Sequence, residues 1–383
     1  MNAYARMPVC FVRGEGVRLW DDEGTEYLDA MGGIAVTFLG HCHPRISEAI
    51  SLQANKLMHV SNLFHIEEQN KLGAKFCQIS GMDKVFVGNS GTEANEAAIK
   101  ITRLMAHKKG IKQPLIICAH HSFHGRTMGS LSATGNPGLQ KNYDPLLPGF
   151  AHVDFNDVEA LAAYTDNPDV IAVMLEPIQG EGGVLVPDEG YLKAVRELCD
   201  KQGWLLILDE IQTGMGRTGK WFAFQHDGIQ PDILTSAKAL GNGVPIGVCA
   251  ARGKAADAIS PGAHGTTFGG SPFASQIALT VIDVIEQEAL LDKAAQTGAF
   301  LKKQLQQKLG THPSVTAIRG KGLMLGVQLK DAVPDLGTRL LDKGLVVSIT
   351  AGGTVIRILP SVYMTENQAK QVAEIVQDVI NDL

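Results

Sequence analysis

The stretch that decides the fold is Trp204-Leu205-Leu206-Ile207-Leu208-Asp209. Its apolar residues follow one another without polar alternation, which predicts a strand covered on both faces. Runs of the same character occur at residues 115–118, 170–175 and 246–249. Apolar residues at helical spacing lie between them, at 94–105 and 192–199. Strands that alternate with helices predict an α/β fold whose core is a mostly parallel, doubly wound sheet flanked by helices.

A carboxylate and a lysine stand beside these strands. Asp209 ends the quoted stretch, at the carboxyl end of a strand, where open α/β sheets bind ligands. Lys238 follows 29 residues later, after the small pair Ser236-Ala237. A lysine amine can form a Schiff base with the aldehyde of pyridoxal phosphate (PLP), and a carboxylate can keep its pyridine nitrogen protonated. Taken singly, the same residues are also compatible with a turn cap and a surface lysine.

A candidate phosphate site lies at residues 88–96, which read GNSGTEANE. Ser90 and Glu93 match the S-x-x-E capping box at the start of a helix. The free N–H groups and the dipole at a helix start favour an anion, and Ser90 and Thr92 add hydroxyl donors around Gly91. An ordinary helix cap without a ligand would have this pattern too. Together with Asp209 and Lys238, however, the segment predicts PLP as the cofactor.

Residues 122–127 (SFHGRT) follow the predicted strand that ends at Cys118. Phe123 could stack on a flat ring, and Arg126 could bind a carboxylate through two hydrogen bonds. The alternatives are a core phenylalanine and a surface ion pair.

Composition narrows the class of protein. The chain has 383 residues, of which 45% are hydrophobic and 19% charged, as expected of a folded enzyme. Its net charge of −6 and the absence of a basic run argue against nucleic acid as a partner. No apolar run approaches the roughly 18 residues that span a bilayer, and the first residues do not resemble a secretion signal. The six isolated cysteines predict reduced thiols in a cytoplasmic protein.

Two further motifs point elsewhere. Residues 214–219 match G-x-G-x-x-G, the sole support for a nicotinamide-dependent dehydrogenase. Residues 209–213 separate the motif from the strand, and no clear helix opens after it, so the dinucleotide context fails. The clusters 41–43 (HCH) and 120–121 (HH) have no standard zinc spacing, so we expect no metal site.

The chain ends differ in pattern from its middle. Residues 1–45 read as short strands and turns, with a hairpin over 17–29, and residues 276–383 read as an α+β segment. We expect residues 46–275 to form the large PLP-binding domain. Residues 1–45 should then join residues 276–383 in a small α+β domain built from both chain ends.

These segments together resemble the class III, PLP-dependent ω-aminotransferases of fold type I. The likeness covers nearly the whole chain. The blocks that carry it are 13–29, 39–44 (LGHCHP), 89–97 (NSGTEANEA), 123–127 (FHGRT), 176–183 (EPIQGEGG), 209–214 (DEIQTG), 235–238 (TSAK) and 264–270 (HGTTFGG).

The resemblance implies a role for each candidate residue of the cofactor site. Lys238 would carry the cofactor and transfer a proton, and Asp209 would pair with the pyridinium. Gln212 would bond the phenolic oxygen, and Phe123 would cover a ring face. The phosphate would be held by Ser90, Gly91 and Thr92, and by Thr267 of a neighbouring subunit, which implies a homodimer with shared sites.

The resemblance also implies the reaction. Residues 33–36, 127–137 and 320–326 favour transfer of the side-chain amine of N2-acetylornithine to 2-oxoglutarate by a ping-pong mechanism, in arginine biosynthesis. Succinylornithine, ornithine, 4-aminobutyrate and succinyl-diaminopimelate are alternative amine donors. Arg126 would hold the distal carboxylate of either substrate. Arg357 would hold the near carboxylate of glutamate, with Glu181 neutralising Arg357 when the other substrate is bound.

Overall fold

A computed structural model describes residues 1–383. Its strands are β1 (Phe11–Glu15), β2 (Arg18–Asp21), β3 (Glu26–Asp29), β4 (Lys84–Gly88), β5 (Leu115–Ala119), β6 (Phe150–Val153), β7 (Val170–Leu175), β8 (Leu205–Asp209), β9 (Ile233–Ser236), β10 (Gly247–Ala251), β11 (Val315–Lys321), β12 (Met324–Leu329), β13 (Leu345–Val346), β14 (Ser348–Thr350) and β15 (Val355–Ile358).

Helices lie between and around these strands. They are α1 (Gly32–Ala35), α2 (Pro44–Lys56), α3 (Glu67–Ser80), α4 (Gly91–Lys108), α5 (Met128–Ala133), α6 (Pro137–Gln140), α7 (Val158–Ala162), α8 (Tyr191–Gln202), α9 (Gly253–Ala256), α10 (Pro272–Gln287), α11 (Leu290–Leu309), α12 (Leu336–Asp342) and α13 (Glu366–Asn381). Short 3₁₀ helices cover Ala223–His226, Lys238–Leu240 and Ala351–Gly353.

Seven strands form the central sheet, in the order β4-β10-β9-β8-β7-β5-β6. Only β10 runs antiparallel to its neighbours, β4 and β9, so the sheet is mostly parallel as expected. In such a sheet the carboxyl ends of the parallel strands meet at one edge. The loops that follow β4, β5, β7, β8 and β9 therefore begin close together, and the N-terminal end of β10 reaches the same edge.

Both faces of the central sheet are covered, as the unbroken apolar runs predict. Leu206 and Leu208 of β8 belong to the largest apolar cluster, which also includes residues of α10. Leu205 and Ile207 point to the opposite face, into a cluster shared with α4. This alternation explains why the strand contains no polar residue before its last position, Asp209.

Two smaller sheets complete the fold. One has the order β1-β2-β3-β13 and the other β11-β12-β15-β14. The predicted N-terminal hairpin is confirmed by the antiparallel pairing of β2 with β3. Because β3 also pairs in parallel with β13, the two ends of the chain share a sheet. The domain boundaries at residues 45 and 276 stay a prediction.

A third apolar cluster fills the C-terminal region. Residues of α11 and α13 pack there against β12 and β15. No helix has both the length and the apolar character needed to cross a membrane.

Candidate functional site

A cavity of about 410 Å³ opens at the edge of the central sheet where the parallel strands end. Eight of the side chains or backbone segments predicted for the site line it: Ser90, Gly91, Thr92, Phe123, Arg126, Asp209, Gln212 and Lys238. They come from loops that follow β4, β5, β8 and β9, which are distant in sequence. The strand order alone therefore explains why these residues meet.

Lys238 lies directly after β9, at the start of a 3₁₀ helix, with a left-handed φ of 41°. Burial lowers the pKa of its ammonium to about 8, and the positive charge of Arg357 adds to this shift. The carboxylates of Glu181 and Asp209 oppose it. The neutral amine is the form that attacks an aldehyde, so the surroundings of Lys238 favour a nucleophile at mildly alkaline pH.

Asp209 ends β8 and is held by three donors. Its Oδ2 accepts hydrogen bonds from Nδ2 of Asn95 and Nδ1 of His124, both at 2.8 Å, and its Oδ1 accepts one from the N–H of Ile211 at 3.1 Å. Asn95 is fixed in turn by the hydroxyl of Thr235, which donates to its Oδ1 at 2.8 Å. This network orients the carboxylate.

Asn95 and His124 are site residues that the sequence analysis did not single out. They lie 114 and 85 residues from Asp209 along the chain, and both fall inside blocks that carried the resemblance. Their signal was a polar residue within an otherwise apolar helix face, and a histidine next to Phe123. Neither signal identifies Asp209 as the partner without the tertiary structure.

The candidate phosphate site is the start of α4. Ser90 is its N-cap, and its Oγ accepts a hydrogen bond from the N–H of Glu93 at 3.2 Å. The reciprocal half of the predicted capping box is wrong, because the Glu93 carboxylate accepts from the N–H of Asn89 instead of that of Ser90. Glu93 thus binds the N–H one residue before the N-cap. The first N–H groups of α4 border the cavity.

Thr92 makes contacts that the sequence did not predict. Its hydroxyl lies 2.6 Å from Oγ of Ser130 and 3.0 Å from Oγ1 of Thr127. These residues belong to the start of α5 and its N-cap. Thr92 therefore ties α4 to the segment that also carries Arg126.

Glu176 is a further cavity residue that sequence reasoning missed. It follows β7, and its two oxygens accept the N–H groups of Phe123 at 2.9 Å and Gly180 at 3.0 Å. Burial raises the pKa of Glu176 to about 7. The charge of His124 lowers this pKa, and the negative charge of Asp209 raises it. One carboxylate thus joins the loop of Phe123 to the loop of Glu181.

The two predicted substrate arginines differ in surroundings. Arg357 in β15 is 1% exposed, and its Nη1 donates to Glu181 at 2.7 Å and to Oε1 of Gln212 at 3.3 Å. Its Nε donates to Oγ of Ser348 at 2.9 Å. Arg126 is exposed and has no carboxylate partner, although its guanidinium carbon lies 5.8 Å from the centre of the Phe123 ring. The cavity is therefore lined by one arginine without a carboxylate partner, and a second arginine, paired with Glu181, lies behind Gln212 of its wall.

Three predicted residues do not line the main cavity: Glu181, Arg357 and Thr267. Arg357 is bonded to Glu181 and to Gln212 of the cavity wall, whereas Thr267 lies apart from them. Thr267 borders a separate surface cavity of about 350 Å³. Asn89 lines both cavities, so Thr267 lies on the outer side of the candidate phosphate site. Within one subunit the structure does not bring Thr267 to the other ten residues.

The donor set of the cavity fits PLP. A buried lysine amine, an anchored carboxylate, an amide side chain and a helix start complement the aldehyde, the pyridine nitrogen, the phenolic oxygen and the phosphate of the cofactor, respectively. Close packing defines the walls, because a Cβ on Gly91 would lie 2.7 Å from the side chain of Ile211.

Comparison with known proteins agrees with this reading. The sequence profile of the family Aminotransferase class-III matches residues 1–380. The chain is 49% identical over 381 residues to an acetylornithine aminotransferase of Nitrosomonas europaea, covering 99% of this chain and 97% of that protein. It is 44% identical over 385 residues to the acetylornithine aminotransferase of Methanocaldococcus jannaschii, covering 100% and 96%.

Solved structures confirm the expected fold. A crystal structure of ornithine aminotransferase from Toxoplasma gondii superimposes with a TM-score of 0.96 at 36% identity, covering 100% of this chain and 92% of that one. The acetylornithine aminotransferase from Elizabethkingia anophelis superimposes with a TM-score of 0.89 at 34% identity, covering 100% and 96%.

Proposed function

The chain belongs to the class-III aminotransferases, which depend on PLP, and from this premise we propose that it transfers the side-chain amine of N2-acetylornithine to 2-oxoglutarate. The products are N-acetylglutamate 5-semialdehyde and glutamate, a step of arginine biosynthesis. Relatives named acetylornithine aminotransferase, 42–49% identical over nearly the whole chain, support this donor. The solved ornithine aminotransferases make ornithine the second candidate.

PLP supplies, when bound, an aldehyde that takes up the amino group and a ring that withdraws electrons. Lys238 would bind the aldehyde, and its Nζ would then move the proton at the carbon that bears the transferred amine. Asp209, at the wall of the cavity, would hold the proton on the pyridine nitrogen. Asn95 and His124 keep that carboxylate in place.

The remaining cofactor residues bind and orient. Ser90, Gly91 and Thr92 hold the phosphate at the start of α4, and Phe123 covers one face of the ring. Gln212 donates to the phenolic oxygen from its Nε2, because its Oε1 already accepts from Arg357. A glutamine in this position thus links the cofactor to the substrate arginine.

The pairing of Arg357 with Glu181 at 2.7 Å is the observation that carries the substrate proposal. Acetylornithine presents a side-chain amine and has no carboxylate near the reacting carbon. An unpaired, buried Arg357 would then be destabilising, and Glu181 neutralises it. Glutamate brings its own carboxylate to Arg357, and Glu181 leaves. Arg126 binds the distal carboxylate in both cases.

Glu181 has the freedom that this exchange requires. Its side chain is 34% exposed, so its carboxylate reaches water by a short rotation. Gly180, Gly182 and Gly183 flank it, and Gly183 has a left-handed φ of 106°. A Cβ on Gly180 would overlap the side chain of Gln212 and one on Gly183 would lie 3.0 Å from Ala351, so the backbone of the loop is closely packed and the exchange is a movement of the Glu181 side chain.

The active unit proposed here is a cytoplasmic homodimer, in which Thr267 reaches the phosphate of the partner subunit. Exposed apolar side chains support an interface beside it, since Leu63 is 88%, Phe64 65% and Phe268 67% exposed. The amide of Asn62 joins their two segments by donating to the carbonyl oxygen of Gly269 at 2.9 Å. We also propose that each subunit has two domains. The large one comprises residues 46–275, and the small one combines residues 1–45 with residues 276–383.

A panel of amine donors with 2-oxoglutarate tests the substrate. We expect kcat/KM to be highest for N2-acetylornithine and lower by about tenfold or more for ornithine and 4-aminobutyrate. Succinylornithine and succinyl-diaminopimelate complete the panel. A higher kcat/KM for any other donor would assign the enzyme to that donor instead.

A further inference from the structure

The glycines at 214–219 have the spacing of a nucleotide-binding motif, but in the structure they allow close packing of the chain. Gly216 and Gly219 have φ values of 91° and 89°. A Cβ on Gly216 would lie 3.0 Å from the ring of Phe38, and one on Gly219 would lie 2.8 Å from Cβ of Ala295. The glycines therefore allow the loop to pass against two other parts of the chain, which leaves no exposed loop to cradle a phosphate.

Arg217 lies at the centre of this loop and is fully buried. It has no carboxylate partner. Its guanidinium donates instead to the carbonyl oxygens of Pro360 at 2.5 Å, Leu323 at 3.3 Å and Ala35 at 3.4 Å. The ring of Phe38 lies 5.1 Å from its guanidinium carbon. Burying a charge is costly, so this many partners from separate segments indicate a specific use.

Two of the three segments that Arg217 joins lead to the candidate site. Ala35 immediately precedes Val36, which lines it. Pro360 follows Arg357 by three residues, just beyond β15, which ends at Ile358. The loop of Arg217 itself begins directly after the block that contains Gln212. In addition, the carbonyl oxygen of Arg217 accepts the N–H of Leu323 at 2.8 Å, so Arg217 bonds to Leu323 through both its side chain and its backbone.

We propose that Arg217 is a positioning residue that sets the place of Arg357 relative to Lys238 and Gln212. It does so by holding the end of β15 and the segment before Val36 against the loop at 214–219. The inference rests on the proposed function for the role of Arg357. A positioning role differs from a general contribution to stability, because binding of the carboxylate near the cofactor should then depend on Arg217.

The test compares two buried arginines. Arg217→Met removes the donors and keeps an unbranched side chain, and Arg217→Lys keeps the charge with fewer donors. Arg196→Met is the matched control, because Arg196 is 7% exposed and pairs with Asp200 and Asp232, both at 2.7 Å, outside the cavity. Thermal unfolding, PLP dissociation and calorimetric binding of glutarate, a dicarboxylate without an amine, are measured beside KM and kcat for glutamate.

We expect Arg217→Met to weaken glutarate binding and to raise KM for glutamate by on the order of tenfold to a hundredfold, with PLP affinity changed far less. Arg217→Lys should lie between this variant and the unmodified protein. Arg196→Met should lower the unfolding temperature without either change. If Arg217→Met does not fold, the same comparison is made with Arg217→Lys.

Three results would overturn the inference. A folded Arg217 variant that binds glutarate as the unmodified protein does would refute it. So would equal changes in KM for the variants of Arg217 and Arg196, since these would indicate stability alone. An unmodified protein that neither binds glutarate nor transaminates would refute the proposed function and this inference with it.

Discussion

Burial acts in opposite directions on the two kinds of titratable group at the cavity. It lowers the pKa of the Lys238 ammonium to about 8 and raises the pKa of the Glu176 carboxyl to about 7. Both shifts favour the uncharged form, which is the form that a closed site tolerates. Lys238 is thereby prepared for attack on an aldehyde. Asp209 keeps three donors, which suits its proposed pairing with the pyridinium ring.

The first prediction at this scale concerns Asp209→Asn. The amide cannot hold the pyridine nitrogen protonated, so the ring loses its capacity to withdraw electrons. We expect kcat to fall by about a hundredfold to a thousandfold, with the same unfolding temperature within a few degrees and a smaller change in KM. Asp232→Asn, which alters a carboxylate remote from the cavity, is the control. Turnover near that of the unmodified enzyme would remove Asp209 from the mechanism.

Glu176 predicts a dependence of stability on pH. Its pKa is raised from 4.5 to about 7 by burial, so between these values the folded state binds more protons than the unfolded state. Stability from this group is therefore full below pH 4.5 and is lost as the pH rises through 7. Glu176→Gln should gain stability relative to the unmodified protein over that window, by up to about 3 kcal/mol.

Denaturant unfolding at about pH 5 and pH 7.5 measures this difference. Glu210 is a buried carboxyl whose pKa is also raised to about 7, and it remains in both proteins as an internal control. A constant offset between the two proteins at both pH values would show that Glu176 does not titrate in this range.

At the scale of elements, continuous apolar runs were the reliable signal. They predicted β7 at 170–175 without error in its bounds, and they identified β5, β8 and β10 to within two residues. β9 was not predicted, because its four residues, ILTS, end in two polar side chains. Those side chains are nevertheless buried, and Thr235 serves the Asn95–Asp209 network. Such a partner is determined by the strand order, which no local pattern contains.

In the candidate site, too, some residues could be predicted from local sequence patterns and others only from the tertiary structure. Residues within motifs, such as Ser90 and Lys238, could be identified from spacing and residue type. Asn95, His124 and Glu176 could not, because their chemistry depends on contacts across 53 to 114 residues. The capping-box pattern predicted the start of α4 correctly and the partner of Glu93 incorrectly, since two N–H groups at neighbouring positions compete for one carboxylate.

Gly247→Ala tests the packing of β10 against the phosphate site. An added Cβ would overlap the carbonyl oxygen of Ser90 and displace the start of α4. We expect PLP to bind about tenfold more weakly, measured by equilibrium dialysis, with a lower unfolding temperature. Gly337→Ala, in α12, is the control, since its Cβ would meet the flexible end of Met7 at 3.0 Å and would make an ordinary contact with Ile349 at 3.5 Å. Unchanged PLP affinity in Gly247→Ala would place the phosphate elsewhere.

At the scale of the whole molecule, the proposed homodimer would complete a cofactor site that one subunit does not complete alone. Thr267 lies outside the main cavity of its own chain, next to exposed apolar side chains. We expect Thr267→Ala to retain its fold and to lose PLP more readily. Mixing Lys238→Ala with Thr267→Ala chains should restore part of the activity, because some hybrid sites then contain both intact residues. Sedimentation should detect a dimer, and a fully active, PLP-loaded monomer would refute the shared site.

The central claim is that one cavity accepts two different substrates because Glu181 pairs with Arg357 for one of them and releases it for the other. Single-turnover spectra of the two half-reactions test it most directly. Glu181→Ala should slow the half-reaction with N2-acetylornithine by about tenfold or more and affect the half-reaction with glutamate much less. Arg357→Ala should do the reverse, and Arg126→Ala should slow both. Equal losses in both half-reactions for Glu181→Ala would contradict the claim and leave a fixed ion pair.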